Sequence, residues 1–167
     1  MILAADGSTT LLLEALLDVE LSVRVLGQRI VTADSVAPRT RRLLQVAPGT
    51  DVLVRRSLLC RPGGQYVSQN YVAAPYRRDG LTRVLADPTQ PIGRGLSSLG
   101  LSQARRIVEV GLSAWSPTST CVSKSYLIMN QGGVGAYVVE RFHPGVVPVC
   151  GEVAGGADGS RDEQRDP

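Results

Sequence analysis

Four strand-like runs, in two pairs each joined by a glycine-rich turn, constrain this chain more than any other feature. Residues 51–60 and 65–74 flank Arg61-Pro-Gly-Gly64, and Thr120 to Asn130 and Ala136 to His143 flank Gln131-Gly-Gly-Val-Gly135. Period-2 alternation broken by such turns predicts two β-hairpins, and hence antiparallel strands. Leu21, Val23 and Val25 alternate with Ser22 and Arg24, which predicts a further half-buried strand running to about Val31. Ser8 or Thr9 can cap a helix over 8–17, and Asp79 can cap a short one carrying Leu81, Val84 and Leu85 that stops before Pro88. A polar connection with Arg39, Arg41 and Arg42 ends at Pro48-Gly49. From Leu101 onward, Ala104, Ile107, Val108, Leu112 and Trp115 follow helical spacing, which predicts an amphipathic helix lying on the sheet. The expected fold class is α+β, a single antiparallel β-sheet with helices packed on one face. Residues 1–150 are expected to form one domain. Residues 151–167, rich in Gly, Asp, Glu and Arg, are expected to be a disordered C-terminal tail, because they hold too little apolar surface to offset ordering.

Composition then removes whole classes of function. The chain has 167 residues, 43% of them hydrophobic, enough for a core, yet no apolar run approaches the ~20 residues of a membrane helix. The N-terminus also lacks the basic start and apolar run of a secretory leader, so no membrane association and a cytoplasmic location are expected. Cys60, Cys121 and Cys150 are widely separated and His143 is alone, which argues against a metal site or a disulfide framework. No phosphate loop, nucleophile elbow or dinucleotide fingerprint is present, so no cofactor is expected. The net charge is +3, and 17 of the 18 cationic side chains are arginines. Because the arginines form no dense run and aromatics are only 4%, no nucleic-acid partner is expected.

Against that background, charges inside strand-like runs stand out. Arg55 and Arg56 lie within Val52-Leu-Val-Arg-Arg-Ser-Leu-Leu-Cys60, and Glu140 shares a strand face with Ala136, Val138 and Phe142. Adjacent strand residues point to opposite faces, so one arginine enters the core side, and parity alone does not choose which. An inward Glu140 is costly unless paired, and is either a member of a structural ion pair or a functional acid tuned by burial and a cationic partner. Pro91-Ile92-Gly93 is a third element, where glycine permits close backbone approach and a helix start would offer N–H groups to a carboxylate.

Taken in order, these pieces resemble the chorismate pyruvate-lyase family, in both its enteric type and its divergent actinobacterial 4-hydroxybenzoate synthases. The matching segments are Ala5-Asp-Gly-Ser-Thr-Thr-Leu-Leu-Leu-Glu14, Val25 to Ile30 with Gln28, Val54-Arg-Arg-Ser-Leu-Leu-Cys60, Gln90-Pro-Ile-Gly93 and Val138-Val-Glu-Arg-Phe-His-Pro144. The resemblance implies a chorismate lyase-like fold with a ligand cavity beneath flaps. It also implies elimination of pyruvate from chorismate to give 4-hydroxybenzoate, without metal or cofactor. Carried over position by position, it makes Arg55 the grip on a ligand carboxylate and Glu140 its acidic partner. Ile92, beside Gly93, supplies a backbone amide to the carboxylate, and Thr9 or Ser8 takes the flap position. A substrate with two carboxylates suits a guanidinium fork and an amide. Because loss of the enolpyruvyl group aromatises the ring, the residues would mainly position the substrate and accept a proton.

Two further readings stand beside the lyase. One is an enzyme of the same fold acting on another substrate, such as a cyclase or dehydratase. The other is a binding module: Leu44 to Pro75, with its Pro-Gly turn and hairpin, also resembles the effector-binding (UTRA-like) domain of GntR-type regulators. Such a domain ordinarily follows a winged-helix DNA-binding domain, for which this sequence holds no segment, so the lyase is the leading expectation.

Overall fold

The computed structural model describes residues 3–4, 7–77, 79–89, 91–98, 104–130 and 133–149. The tail expected over 151–167 therefore lies outside the described residues, as do Cys150, Gln90, Ala5 and Asp6 of the segments named above. Six strands form one antiparallel sheet: β1 (Ser22–Thr32), β2 (Asp51–Cys60), β3 (Tyr66–Pro75), β4 (Arg105–Ser116), β5 (Ser119–Asn130) and β6 (Gly133–Phe142). Their order across the sheet is β1-β2-β3-β6-β5-β4, so each expected hairpin is a pair of neighbours and β3 joins β6 at the centre. This is the α+β arrangement, a single antiparallel sheet, that the strand pattern implies.

Three helices cover one face. α1 (Thr9–Leu17) is capped by Ser8, and Asp79 Oδ1 accepts from the Thr82 amide at 2.7 Å at the start of the third helix in the chain, α3 (Gly80–Ala86). The fourth, α4 (Ile92–Ser98), follows directly. Leu81, Val84 and Leu85 of α3 and Leu96 of α4 pack on Leu53, Val72, Ala74, Tyr126, Ile128, Ala136 and Val138, all from this face. At one end α1 contributes Leu13 to a second cluster with Leu21, Leu59, Val67 and Phe142. Burying a side chain of this size contributes ~1.5–3 kcal/mol, so these clusters hold the helices in place.

Two segments depart from the sequence expectations. The polar connection between β1 and β2 contains a short 3₁₀ turn (Ala33–Ser35) and a helix, α2 (Pro38–Leu44). Pro38 sits at its first turn, where a missing N–H costs nothing, and Leu44 packs with Ala33, Val52, Val54 and Tyr137 over one end of the opposite sheet face. The amphipathic helix expected from Leu101 is instead the edge strand β4. A register shift between Ile107 and Glu109 explains the misreading. The extra residue, Val108, packs with the opposite-face cluster, so Ile107 and Val108 stand side by side as apolar residues and imitate helical spacing. No helix of the described residues is long and apolar enough to cross a membrane.

Candidate functional site

The sheet register decides which charges enter the helix-covered face. Arg55 pairs with Val72 and shares a face with Leu53; it is fully buried, whereas Arg56 is exposed on the other side. Arg55 Nη1 donates to the Leu85 carbonyl at 3.1 Å and to the Asp87 carbonyl at 2.6 Å, so the end of α3 fixes the guanidinium. Burial pushes the Arg55 pKa down, and the nearby Asp87 charge offsets part of that.

Glu140 enters the same space from β6. Its neighbours across the strands are Asn70 on β3 and Lys124 on β5, and both Glu140 and Lys124 are buried. The Tyr126 hydroxyl donates to Glu140 Oε1 at 3.2 Å, while Oε2 is buried with no hydrogen-bond partner among the described residues. Desolvation raises the Glu140 pKa, and Thr9, Lys124, Tyr126 and Arg105 each pull it back toward the charged form. Tyr126 is itself held neutral, its pKa pushed well up by burial and by the Glu140 charge. Two cations lie near its ring, Lys124 Nζ at 5.3 Å and the Arg105 guanidinium at 5.7 Å from the centroid.

α1 and α4 close the space from above. Thr9, the first residue of α1, is 3% exposed; its hydroxyl is buried without a hydrogen-bond partner among the described residues and favours the charged form of Glu140. Ser8 caps α1 by accepting from the Leu11 amide and lies against Gly93 so closely that a Cβ there would collide with its hydroxyl. Arg94 of α4 bridges Glu14 of α1, at 2.7 Å, and Glu20 beyond it. The ion pairs join the two covering helices, and Glu14 also accepts from the Leu21 amide at 2.8 Å.

The result is a small recessed cavity of about 30 Å³, lined by Thr9, Arg55, Ile92, Gly93, Tyr126 and Glu140 with others, including Arg105. That is room for a water or two. Of the residues singled out in the sequence, Arg55, Glu140, Ile92, Gly93 and Thr9 line one space, and Ser8 supports it from outside. The expected pairing of Arg55 with Glu140 takes a different form: the arginine is spent partly on carbonyls of α3, and the cations acting on Glu140 are Lys124 and Arg105. Sequence reasoning missed Arg105, Lys124 and Tyr126. The parity of Lys124 and Tyr126 with Ile128 was a usable signal, whereas Arg105 was hidden by the helical reading of its segment.

No protein-family model matches the chain, and no curated protein does. Solved structures do. The effector domain of PhnF from Mycobacterium smegmatis superposes with a TM-score of 0.62 at 14% identity, covering 83% of this chain and 90% of that one. A ligand-binding domain of a GntR-family transcriptional regulator from Bordetella bronchiseptica gives 0.56 at 16% identity, covering 74% and 84%. A GntR-family regulator from Bacillus cereus gives 0.57 at 12% identity, covering 75% and 92%. The expectation of an enzyme is corrected here: the matching structures are an effector domain, a ligand-binding domain and a regulator, and none of them points to chorismate pyruvate-lyase. What the likeness establishes is the fold: a six-stranded antiparallel sheet of the chorismate lyase-like type, as found in GntR-family effector domains.

Proposed function

We propose that this chain is an effector-binding module whose ligand is a small anionic molecule that also carries a hydroxyl or ammonium donor. The observation that carries the reading is Glu140 Oε2, a buried acceptor with no partner among the described residues, facing a cavity shared with buried Arg55. An unpaired buried polar atom costs ~1–3 kcal/mol, so a ligand donor placed there recovers that cost. Arg55 takes the anionic group, its fork oriented by the carbonyls of Leu85 and Asp87. Ile92 and Gly93 of the α4 start line the space beside it, and Thr9, the first residue of α1, lines it from that helix. Because the cavity holds only water-sized contents, α1 and α4 act as flaps that part to admit the ligand. The effector and ligand-binding domains of similar fold support this reading.

The test is a thermal-shift screen of small carboxylates with and without a hydroxyl, among them 4-hydroxybenzoate and benzoate. A ligand at ~100 times its Kd stabilises the folded state by ~2.7 kcal/mol, which is readily read as a rise in Tm. Hydroxylated carboxylates should raise Tm, and their advantage over the unhydroxylated analogues should vanish in Glu140→Gln. An unchanged Tm across the panel, or equal shifts with and without the hydroxyl, contradicts the proposal.

A further inference from the structure

The two edges of the sheet are finished differently. β1 carries exposed Arg24 and Arg29 and is interrupted by a register shift between Val25 and Gly27, and both features discourage a further strand from pairing. At the other edge, β4 runs on past its bulge at Val108, and residues 109–114 pair with β5 without interruption. From Ile107 to Ser116 the only charged residue is Glu109, whose carboxylate is taken by Arg39 of α2 at 2.6 Å. The row Asn70, Glu140, Lys124, Val110 crosses β3, β6, β5 and β4, so Val110 ends it at the edge on the helix-covered side. Leu112, two residues on, and Ile107, opposite Tyr126, share that side. Ile107, Val110 and Leu112 are 37%, 44% and 65% exposed, and the apolar clusters beneath α1, α3 and α4 draw on no residue of β4. An exposed apolar edge of this kind is a template for another strand.

We propose that a second copy of this chain pairs with β4, the two strands running antiparallel about a two-fold axis through Gly111. The pattern of the strand sets the register. Centred on Gly111, Val110 of each copy stands opposite Leu112 of the other, and all four side chains fall on the helix-covered side, joining two six-stranded sheets into one. Glu109 then faces Ser113 rather than a second carboxylate, and each Glu109 keeps its own Arg39. Centring on Val110 instead would set Leu112 against the bulge residue Val108, whose side chain packs on the opposite face. Gly111 brings no side chain to the axis, and a Cβ added there would meet nothing within 4 Å. Because the strand is its own complement, a copy of itself is the partner it fits. Two pairs of Val–Leu contacts and a few backbone hydrogen bonds make a seam smaller than the ~800 Å² per partner of a standard interface, so the dimer is weak and concentration-dependent.

Sedimentation equilibrium on the full chain, from about 5 µM to about 500 µM, should show the mass rising from one chain toward two, as a weak interface requires. Leu112→Lys, at an exposed side chain, should leave Tm unchanged and weaken association at least ~10-fold, because a lysine at a strand edge opposes pairing. Cysteine crosslinking reads the register, in a Cys150→Ser background, since Cys60 and Cys121 are buried. Gly111→Cys should form an intermolecular disulfide under mild oxidation, because directly opposed antiparallel residues have Cα atoms ~4.5–5.5 Å apart, within disulfide reach. Gly27→Cys, on the β1 edge and equally unobstructed, should not. A single-chain mass throughout, masses beyond two chains, association that Leu112→Lys leaves intact, or failure of Gly111→Cys to crosslink overturns the proposal. A crosslink through Gly27→Cys in its place would move the contact to β1.

Discussion

Glu140 sets the pH behaviour at the residue scale. Its folded pKa lies above the ordinary carboxylate value, chiefly from burial. Between the unfolded and folded pKa the native state therefore holds the extra proton, and stability falls as pH rises through that window. The amide introduced by Glu140→Gln would mimic the protonated acid at every pH. The Tm advantage of Glu140→Gln over the unsubstituted protein should accordingly grow as pH rises above the unfolded carboxylate pKa of about 4. An advantage that shrinks would mean that Lys124 and Arg105 outweigh desolvation. The two arginines separate just as clearly. Arg55→Ala leaves the Leu85 and Asp87 carbonyls without their donor and opens a hole, so urea unfolding should show a loss of about 2–4 kcal/mol. Arg56→Ala, on the exposed face, should stay within ~0.5 kcal/mol. The sequence showed that one arginine of the pair must face inward, and the resemblance named Arg55; the register is what puts it there.

α1 and α4 are where elements meet over the cavity. Arg94 ties α4 to Glu14 and Glu20, and the close approach of Gly93 to Ser8 seats the start of α1 on it. Replacing Arg94 with Ala should speed amide hydrogen exchange in α1 and α4 while leaving β2, β3 and β6 protected; equal acceleration everywhere would mean that the helices are not a separable unit. Gly93→Ala should push Ser8 from its cap and cost about 0.5–2 kcal/mol in urea, since the capping hydroxyl must move. Elements with one clear period were legible beforehand: both hairpins, β1, α1 and α3 fall within a few residues of their expected bounds. β4 was not, because its bulge at Val108 mixes two periods and the side chains of Ile107, Val110 and Leu112 remain exposed, removing the burial contrast that marks a strand. That error also concealed Arg105, which lies at the start of the misread segment.

At the scale of the whole molecule, the sheet separates two chemistries. One face, under α1, α3 and α4, buries Arg55, Lys124 and Glu140, with Arg55 and Glu140 lining a small cavity; the other presents exposed arginines. Alternation along β2 and β6 encodes this division, so it was legible as a pattern of inward and outward charges. What lines the cavity depends on contacts between β2, β6 and distant helices, which no local pattern reports. The same fold is compatible with all three readings drawn from the sequence, so function has to be argued from the site. The most direct measurement is an amide NMR titration comparing 4-hydroxybenzoate with benzoate and phenol. The account predicts shifts centred on Thr9, Arg55, Ile92, Gly93 and Glu140, with tighter binding for the ligand that carries both groups. Shifts confined to the Arg56–Arg141 face, or none at millimolar ligand, would contradict it.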